Sequence, residues 1–309
     1  MLPAEYSRIS DNGKWAVAQR GSQVDGSLAP SGGTIIEVAT EKELDISHSS
    51  GRSGVSDVTD DGNIVVGECT NLPAYWSREK GDWVTLPLPE GMVLGRLNCV
   101  TPDGHYAAGY GDREGKGWLA YPIMYDLTTG KLIDLPNIPT LDMTHLDQGQ
   151  NCVYGLSADG RYLACAMSES YLMPASLCAY VYDRQNATYR MLGFDDNATA
   201  AWTPKWDNLH FVERPSISDN GKWITGSAYM VEPIPGSEYP NEFRATYKYD
   251  VEKDEFVVYD KAGEADIVGS AVLNDGTIIG GSPANNPYAY CYIRSGNYYI
   301  ALEQILKQV

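Results

Sequence analysis

A run of apolar residues recurs six times along this chain, each introduced by a residue that is small and polar in five of the six, a spacer and an Asp-Gly or Asn-Gly pair, and each closed by a very small residue. The units are Ser10-Asp11-Asn12-Gly13 to Ala18, Thr59-Asp60-Asp61-Gly62 to Gly67, Thr101-Pro102-Asp103-Gly104 to Gly109, Ser157-Ala158-Asp159-Gly160 to Cys165, Ser218-Asp219-Asn220-Gly221 to Gly226, and Leu273-Asn274-Asp275-Gly276 to Gly281. An aliphatic residue precedes each unit (Ile9, Val58, Val100, Leu156, Ile217, Val272), and Trp15, Ile64, Tyr106, Tyr162, Trp223 or Ile278 follows two positions after the glycine. Apolar, β-branched runs around Asn-Gly or Asp-Gly predict hairpins, because those residues tolerate the positive φ of a tight turn. Each unit therefore opens on two antiparallel strands, A and B. The small residue five positions after the glycine predicts a close approach by another backbone or side chain, as expected where wedge-shaped blades crowd together.

A third and a fourth strand follow. The third carries an aromatic, often before Asp, and a short polar turn: Tyr125-Asp126, Tyr182-Asp183 and Tyr249-Asp250, with Trp76 and Tyr292 in the second and sixth units. Fourth strands are predicted at 83–86, 131–135, 189–192, 256–259 and 298–302. The first unit diverges, using Thr34 to Val38 and Leu44 to Ile46. Successive turn glycines lie about 42 to 61 residues apart, the period of four-stranded propeller blades. The prediction is all-β: a single six-bladed β-propeller of four-stranded antiparallel blades over 1–303, bounded at roughly 5–49, 50–91, 92–147, 148–210, 211–263 and 264–303. Residues 304–309 form a tail. The first unit starts at strand A and the last ends at strand D, so no strand is exchanged between the termini.

The Ser-x-Asp-Gly turn, the strand ending in Gly, the aromatic third strand and the closing Leu or Leu-Pro resemble the HAF-type extracellular repeat, with a looser similarity to TolB-like blades. The resemblance covers nearly the whole chain and implies an exported bacterial protein of unassigned function. It implies no catalytic residue, since propellers serve as binding modules, scaffolds and enzymes.

Composition narrows the partners. Lys and Arg total 23 against 41 Asp and Glu, a formal charge of −18, which opposes binding to nucleic acid or anionic membranes. There are 22 Tyr and 7 Trp but only 4 Phe, so the rings chosen carry a polar handle suited to half-wet strands. No apolar run approaches the ~20 residues of a membrane span, and the start, Met1-Leu2-Pro3-Ala4-Glu5, is no signal peptide. Because the chain opens almost directly on a strand, we expect a piece of a longer exported protein, periplasmic, cell-surface or secreted, whose leader lies elsewhere. It is expected to act as a monomer. The six cysteines show no zinc spacing and read as buried thiols, with a Cys165 to Cys178 bridge the one conceivable disulfide.

The lengths of the connections predict where binding occurs. Every A-to-B and C-to-D link is short. The long insertions are B-to-C or D-to-A connections, at 20–33, 110–119, 136–150, 168–175, 194–211 and 227–243, so one face is plain and the other elaborated. Those segments mix rings and sulfur (Trp118, Met143, Tyr171, Met173, Trp202, Trp206, Phe211, Tyr229, Tyr239) with acids and amides such as Asp207, Asn208, Glu213, Glu232, Glu238 and Glu242. That mixture suits a glycan, by stacking and hydroxyl binding, or a protein, by aromatic anchors; equally, the rings could be buried against neighbouring loops.

Candidate ligand-binding residues are Trp118, Tyr171, Trp202, Trp206, Asp207, His210, Tyr229 and Tyr239. Catalytic machinery is not evident. Near the turns, strand A offers Asp57, Arg8 and Arg214 and no histidine, and of the four histidines only His145 and His210 fall on elaborated segments. No nucleophile elbow, H-E-x-x-H helix or phosphate loop occurs, and Asp195-Asp196-Asn197 and Asp207-Asn208 lack the spacing of a calcium loop. The expectation is a non-enzymatic binding module without cofactor or metal, engaging a protein or glycan at the cell envelope. The alternatives are a polysaccharide-acting hydrolase or lyase on the same face, and a purely architectural module.

Overall fold

A computed structural model describes residues 5–24, 27–113, 119–139, 149–168, 177–195, 204–205, 207–259, 268–281, 291–295 and 298–301. Each repeat forms one four-stranded antiparallel sheet. The first holds β1 (Glu5–Ile9), β2 (Trp15–Val24), β3 (Ser27–Glu37) and β4 (Lys42–Asp45); the second β5 (Ser53–Val58), β6 (Ile64–Cys69), β7 (Leu72–Ser77) and β8 (Asp82–Thr85); the third β9 (Met92–Val100), β10 (Tyr106–Arg113), β11 (Ala120–Asp126) and β12 (Lys131–Leu132). The fourth holds β13 (Gln150–Leu156), β14 (Tyr162–Ser168), β15 (Leu177–Asp183) and β16 (Thr188–Met191); the fifth β17 (Leu209–Ile217), β18 (Trp223–Glu232), β19 (Asn241–Asp250) and β20 (Glu255–Val258); the sixth β21 (Val268–Val272), β22 (Ile278–Gly281), β23 (Cys291–Ser295) and β24 (Tyr298–Ala301). Strand order in every sheet is the order of the sequence. The chain divides into two compact units, residues 1–135 with 151–160, and residues 136–150 with 161–309.

The repeated turn is a closed polar circuit. Its glycines have φ between +65° and +84°, where a Cβ is disfavoured. In the first unit the Ser10 hydroxyl donates to Asn12 Oδ1 at 3.0 Å and accepts the Trp15 N–H at 3.0 Å, while Asn12 Oδ1 also accepts the Lys14 N–H. Thr59 with Asp61, Thr101 with Asp103, and Ser218 with Asn220 repeat the hydroxyl bond at 2.7, 2.6 and 2.7 Å. The sixth turn, which begins with Leu273, keeps only the carboxylate half, from Asp275 to the Thr277 N–H. Where the third residue is Asn rather than Asp, it clasps the next turn through its backbone N–H and its side-chain NH2: Asn12 donates to Asp60 Oδ1 and O, and Asn220 to Asn274 Oδ1 and O.

The residue two positions after the glycine packs on the glycine of the following turn. A Cβ on Gly62 would stand 2.4 Å from the Trp15 ring, one on Gly104 2.9 Å from Ile64, and one on Gly160 2.4 Å from Tyr106. The small residue five positions after the turn glycine has another cause than the crowding expected of neighbouring blades. A Cβ on Gly67 would lie 1.9 Å from Gly54 O, and one on Gly109 2.0 Å from Arg96 O. Both carbonyls belong to strand A of the same sheet, close to where the β5–β6 and β9–β10 registers shift. A bulge re-aims the strand-A backbone toward its partner, and only a minimal side chain fits beneath it.

The core lies between sheets. In the first compact unit, residues 1–135 with 151–160, Val17, Ile35, Ile46, Val55, Val65 and Trp76 pack together, and Val66, Leu97, Val100, Ile123 and Tyr125 form a second cluster. Two third-strand tyrosines are fully buried rings with a satisfied hydroxyl: Tyr125 donates to Pro87 O at 2.7 Å, and Tyr182 to Pro136 O at 2.6 Å. Both acceptors belong to the Leu-Pro that closes the preceding repeat, so the excess of Tyr over Phe has a structural use. Cys69, Cys99, Cys152, Cys165 and Cys178 are buried thiols, and none is in a disulfide.

Candidate functional site

Two of the expected loops are largely ladder. The 20–33 insertion is the outer part of the β2–β3 hairpin, paired to Val24↔Ser27. The 227–243 insertion is the outer part of the β18–β19 hairpin, paired to Glu232↔Asn241, leaving 233–240 as its tip. Gly, Ser and Pro made both read as irregular, but an antiparallel ladder continues wherever the partner strand supplies hydrogen bonds, and pairing overrides propensity. Trp118, Tyr171, Trp202 and Trp206 lie outside the described residues, as does His145. The structure places the other four expected site residues in or beside the fifth sheet: Asp207 exposed just before β17, His210 exposed on β17, Tyr229 half-buried on β18, and Tyr239 at the hairpin tip.

In the second unit the outer part of this sheet has two unlike faces. Leu209, Met230 and Phe243 are buried. On the other face the Tyr229 ring stacks on Phe211 at 4.4 Å and 3°, and the His210 ring stands 6.0 Å from it, tilted. The Tyr229 hydroxyl donates to Glu242, and Arg244, in register with Tyr229, lies 3.5 Å from Glu213 and 6.0 Å from the Tyr229 ring. The half-buried Tyr229 ring is thus flanked by Phe211 on β17 and Arg244 on β19. Tyr239 is different: it is 78% exposed, Ile234 on the same tip is 46% exposed, and Glu232, Glu238 and Glu242, on or beside that tip in sequence, are exposed too.

The first unit holds two polar clusters at its A strands. Asp57 accepts the N–H of Val58 at 2.9 Å and of Val100 at 3.0 Å and pairs with Arg8 at 3.6 Å, and Arg8 also donates to Tyr154 O at 3.4 Å. Burial raises the Asp57 carboxyl above the ordinary range despite the guanidinium and the two amides, while Asp57 raises Arg8. The Cys99 thiol beside them is pushed up to about 12, chiefly by burial, and is therefore unreactive at neutral pH.

Farther from the turns, Arg96 donates to Ser56 Oγ at 2.9 Å and Val55 O at 3.0 Å and lies 3.7 Å from Glu68. Tyr110, opposite Arg96 on β10, is held well above the usual phenol range, first by burial, then by the Cys152 thiol; Glu68 and Asp112 push the same way and Arg96 opposes them. Asp112 is 4% exposed, its Oδ1 has no hydrogen-bond partner, and burial lifts its carboxyl to about 6. Among the described residues no three His, Cys, Asp or Glu side chains gather as metal ligands. Sequence reasoning singled out Arg8 and Asp57 but not their pairing. It missed Arg96, because β9 extends farther from its turn than the repeat suggests, and Asp112, because β10 runs on to Arg113 into the presumed loop.

No family model and no curated protein matches the chain. Solved structures do. The chain resembles an oligogalacturonate lyase from Vibrio parahaemolyticus, with 12% identity, TM-score 0.61, and 97% of this chain and 78% of that one covered. The β-propeller domain of the Trilobed protease from Pyrococcus furiosus gives 10%, 0.56, 96% and 82%, and TolB from Acinetobacter baumannii 15%, 0.50, 92% and 61%. The fold is a β-propeller. Its six four-stranded sheets are the blades, and the likeness to TolB-type propellers shows the fold alone, with this chain spanning 61% of the TolB length. No helix among the described residues is long and apolar enough to cross a membrane.

Proposed function

We propose that this propeller is a non-enzymatic binding module that engages a protein or glycan at the cell envelope through the B-to-C ends of its blades. One observation carries the reading: the β18–β19 hairpin ends in Ile234 and Tyr239, large side chains that stay exposed on a segment that also carries the exposed Glu232 and Glu238. Exposed apolar groups clustered on a rigid hairpin and rimmed by charge are the usual anatomy of an interaction surface, with Tyr as a favoured anchor. Export to the envelope is supported by the HAF-type form of the turns and by the TolB-like fold. The excess of 18 negative charges argues for partners other than nucleic acid or anionic lipid. The module acts as a monomer. Alanine at Tyr239 together with serine at Ile234 is expected to abolish partner or glycan binding measured by surface plasmon resonance; unchanged binding would remove this surface from the account.

A second reading, a hydrolase or lyase acting on polysaccharide, is favoured by the oligogalacturonate lyases among the similar structures, one of them in complex with manganese. Asp207 and His210, close together at the start of β17, are its candidate acid and base. Turnover on oligogalacturonate or another glycan, lost in His210→Ala, would replace the binding reading with this one.

A further inference from the structure

We propose that the polar cluster on β6, β9 and β10 of the first unit binds an ammonium group, with Asp112 as its counter-ion and Glu68 and the Tyr110 ring completing the site. The inference rests on an imbalance of partners and is independent of the hairpin surface in the second unit. Asp112 and Tyr110 lie on the same side of β10, two residues apart and facing Leu94 and Arg96 of β9 and Ala120 and Pro122 of β11. Asp112 Oδ1 is buried without a hydrogen-bond donor. A buried carboxylate oxygen left without a donor is costly, so a protein keeps one where something else supplies the donor.

The nearby cations are committed elsewhere. Arg96 is held by Ser56, Val55 O and Glu68. Arg113, next to Asp112, lies over the Tyr121 ring at 4.3 Å. Arg8 is paired with Asp57. The groups that act on the Tyr110 hydroxyl are therefore two carboxylates, one guanidinium and the neutral Cys152 thiol, a local excess of negative charge. A hydroxyl could donate to Asp112, but only a cation also answers that charge and is attracted by the face of a tyrosine ring. A primary ammonium supplies three N–H donors in a compact volume, enough for Asp112 and Glu68 together.

The test uses the whole chain and the Asp112 carboxyl resonance, followed by carbon-13 NMR across pH 4 to 9 in methylammonium or tetramethylammonium chloride at equal ionic strength. Methylammonium is expected to move the Asp112 midpoint from about 6 toward the ordinary carboxylate range, and tetramethylammonium, which has no N–H, to leave it in place. In Asp112→Asn the methylammonium-induced shift of the Tyr110 ring signals is expected to vanish, while the variant melts at or above the wild-type temperature at pH 8, so that loss of binding is not loss of folding. Acetyl-Gly-Lys-Gly-amide and glucosamine, run as separate arms, tell a partner's lysine from an amino sugar. Equal effects of the two ions would mean screening only and would overturn the site. So would undiminished methylammonium binding by Asp112→Asn, or a variant less stable than wild type at pH 8.

Discussion

Replacing Asp57 by Asn probes the pair that ties the A strands of the first unit together. The carboxylate accepts two amide N–H groups, one from its own sheet and one from β9, and balances Arg8 of β1. An Asn side chain has one acceptor and one donor, so either the Val58 or the Val100 N–H would face an NH2 group, and Arg8 would lose its counter-charge. Breaking one partner of a buried pair typically costs about 3–5 kcal/mol. The Arg8 side chain is 35% exposed, so water screens part of the loss, and about 2–4 kcal/mol is the working figure. The complementary change Arg8→Met leaves a buried acid whose midpoint is already raised. Its midpoint would rise further, so this variant keeps its stability at low pH and loses it as pH climbs through the folded-state value. Filling the site with apolar groups, Arg8→Met with Asp57→Leu, removes both charges and is expected to cost less than the sum of Arg8→Met and Asp57→Leu measured singly. Urea unfolding followed by tryptophan fluorescence, with Trp15, Trp76 and Trp83 reporting on these sheets, gives the free energies of all the variants. An Asp57→Asn loss below about 0.5 kcal/mol, far under the range for a buried pair, would refute the reasoning, as would strict additivity in the double variant.

Two further outcomes follow from the geometry. Gly67→Ala puts a Cβ 1.9 Å from Gly54 O, a backbone atom that cannot swing aside, and is expected to cost at least ~3 kcal/mol in the same urea experiment, whereas Gly81→Ala, with open space around it but a positive φ, is expected to cost only about 1 kcal/mol. Asp112 has a folded-state midpoint raised to about 6, so wild-type stability is expected to fall by up to ~3 kcal/mol between about pH 4 and 7; Asp112→Asn should flatten that part of the thermal-denaturation profile, and an unaltered profile would mean that the carboxylate is solvated.

The architecture was legible because one local circuit repeats. Ser10 or Thr59, two residues before Asn12 or Asp61 and three before a glycine at positive φ, encodes its turn with no help from distant residues, and six copies in register leave few folds open. The expected strands agree with the observed ones to within a few residues except in the first sheet and the fifth, where partner strands extend the ladder through Ser- and Gly-rich segments. The site was less legible. Residue type alone singles out Tyr229 and His210, but that Phe211 and Arg244 flank Tyr229 is a cross-strand relation that depends on register. Arg8 with Asp57, and Arg96 with Glu68, depend on which sheets lie side by side and on where a bulge turns a strand. Spacing along the chain carries none of that. The small residue after strand B was found for the wrong reason, since a bulge within its own sheet has the same sequence signature as a crowding neighbour.

The binding role is tested most directly by one comparison: surface plasmon resonance of the immobilised chain against a glycan panel and solubilised envelope proteins, with wild type, the Ile234→Ser/Tyr239→Ala variant, and His105→Ala at the A-to-B turn end of the third blade. The account predicts a saturable interaction that the hairpin variant loses and His105→Ala retains. An interaction indifferent to the hairpin, or one lost only on changing His105, would contradict it.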